Sequence, residues 1–195
     1  MVHNRRCILV QLPEPMPGAE SVGWKTIADV TKARIRAAGQ RHKTSDLSFA
    51  GDVGFRVFKP DSSNIRAWNP RPDDLTGTLL DHAEHLAPDC TEQDVLFELL
   101  LRLGLDLAVP MESRQIAGKT VHNIGAGTLF VCLSDGITRD TAEPLALGLA
   151  EWQKTLSSVD GGMLVFKDSA FADDVAKTNL AAILSQHGLD DVRGI

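Results

Sequence analysis

His82 and His85 stand three residues apart, with Asp81 and Glu84 beside them and Cys90 following, and these are the side-chain types that bind zinc. A tetrahedral site needs a second pair at matching spacing. None completes the set, so the group reads as solvated residues on one face of an amphipathic helix. Ser169, after Asp168 in VFKDSAF, has the hydroxyl of a nucleophile, but it precedes a helix, where an N-cap role needs only that hydroxyl. Two glycine pairs, FAGDVG at 49–54 and IGAGT at 124–128, invite a phosphate-loop reading. Such a loop must leave a strand and open a helix, so that backbone donors face the ligand. The first pair enters a strand and the second joins two strands, so both read as turns. The residues alone therefore assign no catalytic group and no metal set.

Charge carries more. Residues 1–68 hold 11 Lys+Arg against 6 Asp+Glu, and residues 69–195 hold 9 against 20, so a net charge of -6 conceals halves of +5 and -11. Lys25, Lys32, Arg34, Arg36, Arg41 and Lys43 gather around one predicted helix, opposed there only by Asp29. A surface of this kind can meet phosphates or can simply be a solvated helix face. The acidic half repels the same polyanion and suits a protein partner.

The elements that would position these groups follow from hydrophobic pattern. RCILVQL at 6–12 is a nearly continuous apolar run, as in a strand buried on both faces of a parallel sheet, and Pro13 and Pro15 end it. Ile27, Val30, Ile35 and Ala38 share a helical face, with Gly39 as the expected stop. In GFRVFKPDSSNIRAW at 54–68, Phe55 and Val57 alternate with Arg56 and Phe58 as in a strand. Pro60 then removes a ladder donor, and Asp61, Ser62, Ser63 and Asn64 form a turn cluster at its carboxyl end. Strand, helix, strand predicts two parallel strands joined by a right-handed crossover. In open α/β sheets ligands sit at strand carboxyl ends, which makes Asp61 and its neighbours candidates for a ligand contact.

WNPRPDD at 68–74 coincides with the change of charge sign and marks a boundary between 1–68 and 69–195. Beyond it, Thr91 with Asp94 resembles a capping box that opens a helix carrying Val95, Leu96, Leu99, Leu100 and Leu103, with Gly104 at its end. Residues 119–124 and 128–133 read as strands joined by Gly125-Ala126-Gly127. Pro144 is placed near the start of a helix with Leu145, Leu149 and Trp152. A strand at 163–167 and a helix at about 173–187, stopped by Gly188, close the chain.

A chain of 195 residues with 43% apolar content can bury a core, as one large domain or two small ones. Cys7, Cys90 and Cys132 are odd in number and far apart, which fits reduced thiols in the cytoplasm better than a disulfide framework. No apolar run approaches the roughly 18 residues of a membrane span, and the first residues lack a signal-peptide pattern.

GFRVFKPDSSNIRAW resembles the modification subunit of type III restriction-modification systems, an S-adenosylmethionine-dependent DNA adenine methyltransferase. NRRCILVQLPEP, GWKTIADVTKARIRAAG, TVHNIGAGTLFVCLSDGIT and MLVFKDSAFADDVAKTNLAAIL extend the resemblance over nearly the whole chain, in order. Pro60 departs from the apolar residue expected before DSSN. The resemblance implies a carboxyl-terminal segment: in that family the catalytic Asp-Pro-Pro-Tyr motif and the Phe-x-Gly-x-Gly cofactor loop both precede the ILVQLPEP strand. Neither occurs in these residues, which contain no Tyr and no adjacent prolines. A base-flipping methyltransferase needs the first motif to hold the extruded adenine.

The fold implied is α/β, a partial Rossmann-like methyltransferase sheet over 1–68 followed by a mixed α/β assembly domain. ILVQLPE would be its second strand, whose end carries the acceptor for the cofactor ribose, here Gln11 or Glu14. Asp61 would sit where a neighbouring strand directs a carboxylate toward the cofactor's adenine, or would be a turn-forming residue only. S-adenosylmethionine is then the cofactor of the intact family enzyme, not held tightly by this chain alone. Partners implied are DNA, bound weakly and without sequence preference through Lys32, Arg34, Arg36, Arg41 and Lys43, other modification-subunit chains, and the restriction subunit. A free-standing interaction module that joins an intact modification or restriction subunit is the alternative. A small nucleotide-binding enzyme using Gly125 and Gly127 ranks last.

Overall fold

A computed structural model describes residues 7–18, 23–46, 48–66, 69, 71–81, 86–156 and 162–195, the side chains of 79–81 excepted. The chain divides into two units, Met1–Lys59 and Pro60–Ile195, so the division falls upstream of the boundary expected at 68.

The first unit is built on α1 (Ile27–Ser45). Thr26 and Asp29 form a reciprocal capping box: Thr26 Oγ1 accepts from the Asp29 N–H, and Asp29 Oδ2 accepts from the Thr26 N–H at 3.0 Å. Lys32 beside it, then Thr26 and the Lys25 N–H, hold the Asp29 carboxyl well below the usual carboxylate range. The helix does not stop at Gly39. That glycine instead admits Val53, because a Cβ there would lie 3.0 Å from the Val53 Cβ.

Neither flanking strand forms. Residues 7–14 and 53–58 belong to no ladder, so the partial Rossmann-like sheet expected over 1–68 does not assemble among the described residues. The physical reason is that a strand is defined by its neighbour: an apolar run specifies that burial is favourable, not that a partner edge exists. Ile8 and Val10 are 93% and 91% exposed, and no described residue of this unit is buried. Its described backbone pairing includes a bridge between Pro15 and Thr26, where the Met16 N–H donates to the Lys25 carbonyl at 3.0 Å and the Glu14 carbonyl accepts from the Ile27 N–H at 3.1 Å. The second bond occupies one of the orphan donors of the first helical turn.

The second unit holds a five-stranded sheet in the order β1 (Met111–Ile116), β2 (Lys119–Ile124), β3 (Leu129–Cys132), β4 (Met163–Phe166), β5 (Val192–Gly194). β1, β2 and β3 pair antiparallel; β3 with β4 and β4 with β5 pair parallel. Its helices are α2 (Leu75–Asp81), α3 (Glu92–Arg102), α4 (Arg139–Thr155) and α5 (Asp174–Gln186). The two parallel connections run through α4 and α5, and a shared crossover hand puts both helices on one face. There Leu145, Leu149, Trp152, Leu180 and Leu184 pack on Val121, Phe130, Cys132, Leu164 and Phe166. The opposite face receives α3, whose Val95, Leu96, Leu99 and Leu100 cover Ile124, Leu129, Val131 and Val165. All four residues of β3 are buried, which is why its sequence lacks alternation.

The α3 capping box forms as expected, with Thr91 and Asp94 exchanging bonds. Leu103 caps the helix, and Gly104 follows at φ 68°. Three details differ from expectation. Pro144 lies inside α4, which begins earlier at the Thr138 cap. Ser169 lies within a 3-10 turn, Asp168–Ala170, and the cap of α5 is Asp173, which accepts from the Ala176 N–H. The edge strands β1 and β5 carry weak sequence signals: β1 is mostly exposed and polar, and β5 spans three residues.

Asn123 is 3% exposed, and its Oδ1 accepts from the Gly127 N–H at 2.7 Å, closing the β2–β3 turn. Gly125, Ala126 and Gly127 all have positive φ, so this chain segment cannot satisfy that donor by a regular ladder. Asn123→Ala is therefore expected to cost about 1–3 kcal/mol, the penalty of a stranded buried donor. Urea unfolding of the full chain measures it as a lower midpoint at unchanged slope.

Candidate nucleic-acid interface

Five basic residues on one helix need not share a face. At 3.6 residues per turn, positions 36, 40 and 43 fall on one stripe with Gly39, whereas 34 and 41 fall nearly opposite. Lys32 belongs to the first stripe but is tied to Asp29, Nζ to Oδ1 at 2.7 Å. Arg34, Arg36, Arg41 and Lys43 are exposed and, among the described residues, have no ion-pair partner. The cationic cluster is thus two surfaces: Arg34 with Arg41, and Arg36 with Lys43.

The second surface has relief. Val53, Phe55 and Val57 alternate with the outward Asp52, Arg56 and Phe58, and they face the Arg36–Gln40–Lys43 stripe across a groove of about 390 Å³. Val53 seats against Gly39, which sets how closely this segment approaches the helix. The Arg36 guanidinium lies over the Phe55 ring, 5.3 Å from its centroid, a cation–π contact. Behind it, His42 stacks on Phe49 with centroids 6.0 Å apart. None of the groove's lining residues is acidic. The nearby Asp52 carboxylate is occupied by the Gly54 N–H at 2.7 Å.

The expected cofactor residues are not drawn to this groove. Gln11 is exposed and its amide donates to the Leu12 carbonyl at 3.2 Å. Glu14 is exposed, and its contribution is the backbone carbonyl that receives Ile27. Asp61 belongs to the second unit, where its Oδ1 accepts from the Ser62 N–H at 2.7 Å in a local turn.

Ser63 and Asn64, from the same turn cluster, meet α3 instead. Ser63 Oγ donates to Glu98 Oε1 at 2.6 Å. The Asn64 N–H and Nδ2 both donate to Glu98 Oε2, at 2.6 and 3.0 Å. Arg102 completes the set at 2.9 Å. The Asn64 carbonyl then accepts from the Ala87 N–H at 2.7 Å, and Ile65 bridges Leu86. Burial alone would raise the Glu98 pKa, but bonds from Ser63, Asn64 and Arg102 outweigh it and hold the carboxyl below its ordinary value. This is a structural latch that sequence reading missed, because its partners lie far apart in the chain.

Other candidates resolve quickly. His82, Glu84 and His85 lie outside the described residues, and Cys90 Sγ donates to the Ala87 carbonyl at 2.9 Å. Among the described residues no group of His, Cys, Asp and Glu is arranged to hold a metal ion. Cys132 is 1% exposed, and burial pushes its thiol up to about 11, which removes it as a nucleophile at neutral pH. The Gly125–Gly127 loop joins antiparallel strands and opens no helix, so it lacks the geometry of a phosphate cradle. No helix among the described residues is long and apolar enough to cross a membrane.

Two outcomes are expected. A carboxylate whose pKa is lowered on folding contributes stability above its unfolded pKa, here 4.5, and loses it as pH falls through the folded value. Glu98→Gln should thus lower the denaturant midpoint at pH 7 and flatten the acid loss that the wild type shows below pH 4.5. Duplex DNA should bind weakly, without sequence preference, and with affinity falling as salt rises. In a salt titration of duplex binding, Arg34→Glu with Arg41→Glu should weaken it, since these two cations are free on a convex helix face. In comparisons with known proteins, no family model matches the chain and no curated protein aligns with it significantly.

Proposed function

We propose that this chain is the carboxyl-terminal portion of a type III modification methyltransferase and that it acts by completing the sheet of that enzyme's cofactor-binding domain, not by transferring methyl groups itself. One observation carries the reading: in the first unit a capped helix is flanked by two apolar segments that belong to no ladder, and the unit buries no described residue. Before α1 in the chain, Ile8, Leu9, Val10 and Leu12 expose apolar surface on backbone that belongs to no ladder, and after it Val57 and Phe58 are exposed as well. Such segments are competent for strand addition to a partner edge. The resemblance of GFRVFKPDSSNIRAW names the kind of sheet they would join.

The assignment divides the labour. The Asp-Pro-Pro-Tyr and Phe-x-Gly-x-Gly motifs, which these residues do not contain, would supply the adenine pocket and the main cofactor contacts from the segment that carries them. Gln11 or Glu14 would supply a ribose acceptor once residues 7–14 are held in a sheet, and Asp61 an adenine contact. The Arg34 and Arg41 face would add phosphate contacts. The second unit, with its own two-sided core, also favours the interaction-module reading, in which it docks on an intact modification or restriction subunit.

Alone, the chain should bind S-adenosylmethionine no better than millimolar, about -4 kcal/mol, by calorimetry. Mixed with a separately expressed modification-subunit segment that carries both motifs, it should co-elute, and amides of residues 8–12 and 53–58 should gain hydrogen-exchange protection. Micromolar cofactor binding by the isolated chain would sink the division of labour. Co-elution only with an intact modification subunit would select the interaction module.

A further inference from the structure

We propose that the groove between α1 and residues 53–57 is a binding site for single-stranded nucleic acid. Its two walls supply different chemistry. Arg36 and Lys43 stand two helical turns apart, about 10 Å along the axis, with Gln40 between them, so one wall offers two spaced cations and an amide. The other wall offers the Phe55 ring flanked by Val53 and Val57. A cationic track beside an aromatic platform is the arrangement that holds an unpaired strand: cations take the phosphates, and the ring and the guanidinium lying over it stack a base.

The aromatic wall discriminates against paired bases. About 390 Å³ accommodates a base with its sugar, but a base pair's π-faces are buried in the duplex stack and cannot reach Phe55. Duplex phosphates can meet the Arg34 and Arg41 face without using that wall. The site is built from residues of the first unit alone. It does not depend on the methyltransferase reading, since strand addition uses the backbone edges of residues 53–58 and leaves the Val53, Phe55 and Val57 face against the helix.

The test uses the full chain and three fluorescent probes of equal length: a 12-nucleotide oligo(dT), an abasic strand of the same charge, and a duplex. Oligo(dT) should bind at least about fivefold tighter than the abasic strand, the size of one stacked base. Phe55→Leu should abolish that ratio while leaving abasic binding and the helical circular dichroism unchanged. Arg36→Gln with Lys43→Gln should weaken both single strands and reduce the slope of log affinity against log salt by about 1.4. Arg34→Glu with Arg41→Glu should weaken the duplex and spare the oligo(dT) to abasic ratio. An oligo(ribouridine) arm then tells whether RNA or DNA is preferred. Equal affinity for oligo(dT) and the abasic strand, or a ratio that survives Phe55→Leu, would overturn the proposal, whatever the outcome with cofactor or partner segment.

Discussion

The parallel pairing of β3 with β4 is the contact on which the second unit depends. Leu129, Phe130, Val131 and Cys132 stand beside Met163, Leu164, Val165 and Phe166 in register, and both strands are covered on both faces. Residues of odd and even number feed different clusters: Phe130 and Cys132 face α4 and α5, Leu129 and Val131 face α3. A one-residue slip would exchange the two sets and present each helix with the wrong surface. Everything else attaches to this pair. The β1–β2 hairpin extends it on one side, β5 on the other, and α4 is the connection that makes the pairing parallel. Phe130 meets Trp152 edge to face at 5.3 Å, and Arg114 from β1 lies over the outer side of the same indole, 4.4 Å from its centroid. The central pair is thereby tied to the edge strand through one aromatic residue.

The first unit lacks any such contact, and the comparison explains where sequence reading succeeds. The α3 box and stripe were legible, since Thr91, Asp94 and four buried apolar residues all belong to one short segment and need no knowledge of the rest. The β2–β3 hairpin was legible for the same reason, through its glycine loop. ILVQL was legible as a run that favours burial, but its partner was not, because pairing is a property of two segments. β1 was missed from the other direction. MESRQI is polar because one of its edges and most of its surface meet solvent, and its Ala117-Gly118 turn, with φ of 50° and 75°, is chemically quieter than Asn-Gly.

The candidate interface shows the same division. A count of cations on residues 25–43 identified a basic helix, yet helical periodicity, available from sequence all along, separates Arg36 and Lys43 from Arg34 and Arg41. What the sequence withheld was the second wall, since Phe55 and Val53 reach α1 only through a fold-back that Gly39 permits. The Glu98 latch was equally hidden. Its donors Ser63 and Asn64 were noticed as turn formers, while the acceptor looked like one more acid on a helix surface.

The parallel β3–β4 pair also has a consequence in time. A growing polypeptide can close the β1–β2–β3 meander from neighbouring residues, but β3 remains uncovered on one edge until β4 leaves the ribosome, and β4 in turn until β5 does. At roughly 5–20 residues per second, the interval between emergence of Cys132 and of Gly194, during which one or the other edge is open, is several seconds. The exposed Ile8–Val10 stretch is already outside throughout that interval. Nascent chains on one message therefore display sticky, unpaired strands together, so synthesis at high ribosome density favours either capture by a chaperone or pairing with a partner made alongside.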